Sequence, residues 1–88
     1  FLMDEKEKEY CKLIGSIIRK LRKQQNKSLC IFAYENDIAR STLSRIEKGE
    51  NECGLITLKK ISDGLNWKMS EFFKKIEDNN GDIRLIDE

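Results

Sequence analysis

Between Tyr10 and Leu21 the apolar residues fall at Tyr10, Leu13, Ile14, Ile17, Ile18 and Leu21. Spacing of three and four lines one face of a helix and no face of a strand. It predicts a first helix over about Asp4 to Gln25, acidic at its start and basic at its end, the polarity that a helix dipole favours. The same period returns in shorter pieces along the chain. Ser28 suits the N-cap of a second helix that runs to about Glu35, and Asn36-Asp37 supplies two residue types that tolerate a left-handed turn. A third helix spans about Arg40 to Lys48, with Gly49 placed as the residue just past its end. Residues 51–54 read as a loop. A fourth helix begins near Leu55 and is expected to bury Leu55, Leu58, Ile61 and Leu65, with small Ser62 between them. A fifth begins near Met69 with a stripe of Met69, Phe72, Phe73 and Ile76. Asn79-Asn80-Gly81 breaks the chain, and 82–86 reads as an extended segment or a short helix.

The expected fold class is therefore all-α, five helices with an extended first helix and a short C-terminal tail. The chain has no proline, and its abundant Lys, Glu, Ile and Leu favour helices over a sheet. Its 88 residues suffice for one domain over 1–78, followed by a tail over 79–88. The longest apolar run, Leu29 to Tyr34, is far too short to cross a membrane. The opening Phe1-Leu2-Met3-Asp4-Glu5 lacks the basic leader of a secretion signal, and a native start at Met3 fits it. Cys11, Cys30 and Cys53 are odd in number and widely spaced, with no histidine beside them. That excludes the usual zinc patterns and implies free thiols in a reducing compartment, the cytoplasm. No metal or other cofactor is expected. Without histidine, a glycine-rich phosphate loop or a nucleophile beside a base, an enzyme is not expected either.

Charge narrows the partner. The formal net charge of +1 is unevenly spread: residues 1–11 carry a net −2, residues 71–88 a net −3, and residues 12–70 a net +6. A basic body between acidic ends suits a polyanion, although a solvated basic face would look the same. The third predicted helix is the most pointed segment. Stepped at about 100° per residue, Arg40, Ser41, Ser44, Arg45 and Lys48 share one side and Leu43 and Ile46 lie opposite. A major groove admits a helix of that width, arginine can bond guanine O6 and N7 together, and serine can bond bases or phosphates. An ordinary amphipathic surface helix would show the same division.

Context decides between those readings. The stretch from Ala33 through Ile38-Ala39-Arg40-Ser41-Thr42-Leu43-Ser44-Arg45-Ile46-Glu47-Lys48-Gly49 to Glu50 resembles the helix-turn-helix of phage-repressor-like (lambda repressor-like, XRE-type) transcription regulators. The resemblance extends upstream through Ile14-Gly15 to Leu21-Arg22 and downstream through Thr57-Leu58-Lys59-Lys60-Ile61 and Leu65-Asn66-Trp67 to Phe73, so it covers roughly 13–76. It implies a five-helix fold with the motif over about 28–49, Ala33 at a close helix crossing and Ile38 plugging the turn. It further implies that Arg40, Ser41 and Arg45 face base edges, and that Ser28, Ser44, Lys48 and the amides near Gly49 lie near phosphates. Relatives pair an arginine at the end of helix 1 with a glutamate at the end of helix 3, which here are Arg22 and Glu47. The implied function is sequence-specific binding of a double-stranded DNA operator, with repression as the default role.

Departures from that pattern are local. Leu29 stands in place of a frequent glutamine, Lys27 in place of an apolar residue before helix 2, and Cys53 in place of a frequent proline. Asp37 replaces a common glycine at the turn. Ala39 replaces a hydroxyl N-cap, which forfeits roughly 1 kcal/mol. Cys30, Ile31 and Tyr34 make the outward face of helix 2 apolar as well, so the N-terminal arm or a partner chain is expected to cover it. That face keeps a rival reading open: a protein-interaction module of the same fold, such as the antitoxin of a toxin–antitoxin pair. One such domain spans few base pairs, and operators are usually read by dimers on half-sites one helical turn apart. Phe72, Phe73, Ile76, Ile83, Leu85 and Ile86 either include a homodimer surface or fold back on their own domain.

Overall fold

The computed structural model describes residues 3–80 and 83–86. Phe1, Leu2, Gly81, Asp82, Asp87 and Glu88 lie outside the described residues, and with them the expected glycine break and part of the tail. Five helices follow in order: α1 Glu5–Gln24, α2 Leu29–Glu35, α3 Arg40–Glu47, α4 Leu55–Gly64 and α5 Met69–Asn79. No strand forms among the described residues. None of the helices is long and apolar enough to cross a membrane.

Local chemistry explains the boundaries. Asp4 caps α1 by accepting from the Glu7 amide, and the Glu7 carboxylate accepts in return from the Asp4 amide, both at 2.9 Å. This reciprocal box satisfies two amides that the first turn leaves without partners. Ser28 Oγ accepts from the Ile31 amide at the start of α2. Ala39, as its side chain dictates, gives α3 no cap. At the other ends one device recurs. Asn26, Asp37, Gly49 and Asn66 follow α1, α2, α3 and α4 with φ between 55° and 73°. Past α2, α3 and α4 the next amide reaches back to close the turn: Ile38 to the Ala33 carbonyl, Glu50 to Arg45 and Trp67 to Ser62. Asparagine, aspartate and glycine are the residues that accept this conformation at least cost.

Ile18, Phe32, Leu43, Ile61, Phe72 and Ile76 form the centre of the core, each almost wholly withdrawn from water. Each such burial is worth about 1.5–3 kcal/mol against an exposed side chain. Ala33 and Ile38 are buried as the resemblance implied. Ser62 is buried too, and its hydroxyl donates to the Trp67 carbonyl at 2.6 Å. Two expected core members are displaced. Leu55 is 69% exposed: it occupies the first position of α4, beyond the edge of the arc formed by Leu58, Ile61, Ser62 and Leu65, and overhangs the core. Phe73 is 42% exposed, flanking the buried Phe72 and Ile76 rather than joining them.

Among the described residues the N-terminal arm does not cover α2. Met3 lies against Cys11, sulfur to sulfur at 3.6 Å, in a cleft that also takes Tyr10, Cys53, Phe73 and Leu85. Leu85 thus places part of the described tail beside α1 and α5, while residues 83–86 form neither helix nor strand. Burial raises the Cys11 thiol pKa and pushes that of Cys53 up to about 11, so both stay protonated and unreactive at neutral pH.

Helices α1 and α3 meet closely. Arg22 Nε and Nη2 donate to Glu47 Oε2 and Oε1 at 2.7 and 2.9 Å, and Nη1 donates to the Lys27 carbonyl at 2.8 Å. The side chains are 8% and 5% exposed, and the pairing raises the Arg22 pKa further. About two turns earlier on α1, a Cβ at Gly15 would overlap the Ile46 carbonyl and stand 2.6 Å from that of Glu47. Both obstacles are backbone, so neither can swing aside.

Two stability outcomes follow from this junction. Glu47→Ala strands a buried guanidinium and should cost about 3 kcal/mol, whereas Arg22→Met combined with Glu47→Leu should cost clearly less. Chemical denaturation of both variants checks this, and an unchanged midpoint for Glu47→Ala refutes it. Gly15→Ala should lower the melting temperature, although alanine in an exposed helix gains about 1 kcal/mol over glycine; a raised melting temperature would show that the junction is not close-packed.

Candidate nucleic-acid interface

Helix α3 is held from beneath and bare on top. Leu43 and Ile46 enter the core, Glu47 is locked to Arg22, and Gly49 ends the helix at φ 73°. That end is also crowded, since a Cβ on Gly49 would stand 2.6 Å from the Lys12 Cα. Arg40, Ser41, Arg45 and Lys48 are exposed, and Ser44 is half-buried. Among the described residues neither Arg45 nor Lys48 enters an ion pair, so both carry uncompensated charge. Arg40 is engaged differently: its Nε donates to Cys30 Sγ on α2 at 2.9 Å.

The residues expected near phosphates are partly gathered. Ser44 and Lys48 line a depression of about 260 Å³ together with Arg19, Arg22, Leu29 and Glu47. Ser28 is exposed at the N-cap of α2, next to Leu29, and does not line that depression itself. Arg45 lies outside it, on the same exposed side of α3 as Arg40 and Ser41. Leu29 therefore contributes shape rather than the hydrogen bonds that a glutamine would offer.

Arg19 was not singled out from the sequence, yet it joins two surfaces. It lines the depression with Ser44 and Lys48, and also a wider groove along α1 with Ser16, Lys20, Lys23 and Gln24. The cationic face thus runs from α3 onto α1. The signal was available: Arg19 precedes Arg22 by three residues, so once Arg22 is assigned to α3, Arg19 must stand one turn away on the same side. Carboxylates around this face are mostly engaged. Glu47 is bonded to Arg22, and Glu35 to Lys27 at 2.7 Å, while Glu50 remains exposed past the end of α3.

The outward face of α2 stays open among the described residues, with Cys30 exposed, Ile31 at 52% and Tyr34 at 87% exposure. No group of acidic, histidine or cysteine side chains among the described residues could hold a metal ion.

No protein-family model matches the chain. The Control protein C.MunI from a Mycoplasma species is 41% identical over 64 residues, which cover 72% of this chain and 86% of that protein. A crystal structure of a point mutant of the Restriction-Modification Controller Protein C.Esp1396I superposes with a TM-score of 0.75 at 20% identity, covering 85% of this chain and 95% of that one. The second likeness establishes the five-helix, lambda-repressor-like fold, and the first is close enough to establish kinship. The chain belongs to the family of control proteins that includes C.MunI.

Proposed function

We propose that this protein binds operator DNA as a homodimer, reads the major groove with α3, and represses the genes it controls. Arg40, Ser41 and Arg45 read base edges. Ser28, Ser44 and Lys48 contact phosphates and set the register, and Arg19 extends that phosphate contact onto α1. The observation that carries this reading is the division of α3: Leu43 and Ile46 anchored in the core, and unpaired cations on the opposite side. C.Esp1396I is a restriction–modification controller, and we extend that class of target genes to this protein.

Pairing of two copies is supported by exposed apolar side chains away from α3. Leu55 and Ile56 stand on the first turn of α4, Phe73 lies on the exposed margin of α5, and Leu85 and Ile86 lie in the tail. The open α2 face of Ile31 and Tyr34 supports a second reading, a protein partner bound beside the DNA. Such a partner is compatible with DNA reading and does not replace it.

Selection of bound duplexes from a random DNA pool tests the proposal as a whole. A consensus with two-fold symmetry supports both base reading and the dimer; recovery of no preferred sequence refutes base reading. With the selected duplex in hand, Arg45→Ala should relax preference at one position per half-site by about 1–3 kcal/mol, measured against single-base-pair replacements. Equal weakening on every duplex would reassign Arg45 to phosphate. Arg19→Ala should instead weaken all duplexes alike and reduce the slope of log Kd against log salt by about one per protomer. An unchanged slope removes Arg19 from the interface.

A further inference from the structure

Arg40 is poorly supported by its own helix. It occupies the first position of α3, where the positive end of the helix dipole disfavours a cation. The preceding Ala39 offers no side-chain cap. Among the described residues no carboxylate pairs with it. A long side chain in this setting ought to sample many rotamers, and ordering it on DNA would cost affinity. The bond that holds it comes from the neighbouring helix: Arg40 Nε donates to Cys30 Sγ at 2.9 Å.

We infer that Cys30 is a positioning residue for base recognition, holding Arg40 through Nε so that both terminal nitrogens remain free to bond a base. This rests on the reading of Arg40 as a base-contacting residue. The chemistry of the acceptor matters. A neutral thiol sulfur accepts weakly and leaves the guanidinium charge intact. A carboxylate at the same place would hold the arginine harder, but it would cancel the charge and repel phosphates. The same helix shows that alternative at Glu35, which is bonded to Lys27. Engaging Nε also orients the planar fork, because Nη1 and Nη2 are the pair that can meet guanine O6 and N7 together. Cys30 is exposed and contributes nothing to the core, so its removal need not disturb folding.

The test uses the full chain, the duplex selected by the wild-type protein, its single-base-pair replacements and an unselected duplex of equal length. Arg40→Ala first identifies the position that Arg40 reads. Cys30→Ala should then reduce discrimination at that same position by about three- to tenfold, the scale of ordering one long side chain. Affinity for the unselected duplex and the melting temperature should stay as in the wild type. Cys30→Ser, which keeps an acceptor, should restore most of the discrimination. Full discrimination by Cys30→Ala, or a loss equal on all duplexes, overturns the inference while leaving base reading by Arg40 in place. If Arg40→Ala itself alters no preference, both the inference and the base-reading role of Arg40 are overturned.

Discussion

Three donors of one guanidinium tie this protein together. Arg22 leaves the last turn of α1, grips both carboxylate oxygens of Glu47 at the end of α3, and gives its remaining bond to the Lys27 carbonyl in the connection to α2. A buried ion pair of this kind adds little net stability, because desolvation offsets most of the attraction. Its geometry is nonetheless demanding. Two parallel bonds to a planar fork fix both distance and rotation, and Gly15 permits the backbone approach that brings α1 within reach. The orientation of α3 about its own axis then has two controls: Leu43 and Ile46 from the core, and Glu47 from the side.

That rotation decides which residues face outward. A turn of α3 by one residue's step, about 100°, would exchange serines and arginines for apolar side chains at the surface. Helix capping does not supply the restraint, since α3 begins at an uncapped Ala39. The turns on either side contribute instead. Asp37 and Gly49 both adopt the left-handed conformation, which closes the chain tightly before and after the eight residues of α3. A short helix with weak intrinsic propensity is thus held by its connections and its neighbours, and its polar face keeps only the bond from Arg40 to Cys30 among those described.

Most of this arrangement was legible in the residues. Apolar spacing located all five helices to within a residue or two, because period and end signals agree: Ser28 before α2, Asn36-Asp37 after it, and Gly49 after α3. The Arg22–Glu47 pair was accessible only through the family resemblance, since 25 residues of separation carry no local signal. Leu55 and Phe73 were misassigned for a common reason. A stripe drawn along one helix does not know where the neighbouring helix stops, so residues at its margin or its end are indistinguishable from its centre. Covering of α2 by the N-terminal arm was likewise a guess about docking, and Met3 instead lies at Cys11. The bond from Arg40 to Cys30 was beyond reach for a further reason: it depends on the rotamers of two exposed side chains on crossing helices. At the candidate site, exposure of α3's polar face was readable from its period, whereas the extension onto Arg19 required the α1–α3 contact to be known first.

A nearly neutral chain can still present a cationic face, and the reason lies in which charges are paired. Lys8 meets Glu5, Lys27 meets Glu35, Lys59 meets Asp63, Lys60 meets Asp37 and Lys74 meets Asp78. Such exposed pairs contribute little to stability, but each cancels its own field within a few ångströms. The cations without such partners among the described residues include Arg19, Lys20 and Lys23 on α1 and Arg45 and Lys48 on α3. Screening in physiological salt limits an exposed charge to about 8 Å, so a phosphate on this side responds mainly to the groups close to it. The net charge of +1 is therefore the wrong quantity for judging a polyanion partner. What matters is that several cations on α1 and α3 lack an ion-pair partner among the described residues, and that Glu47, which lines the depression with Ser44 and Lys48, spends its charge on Arg22.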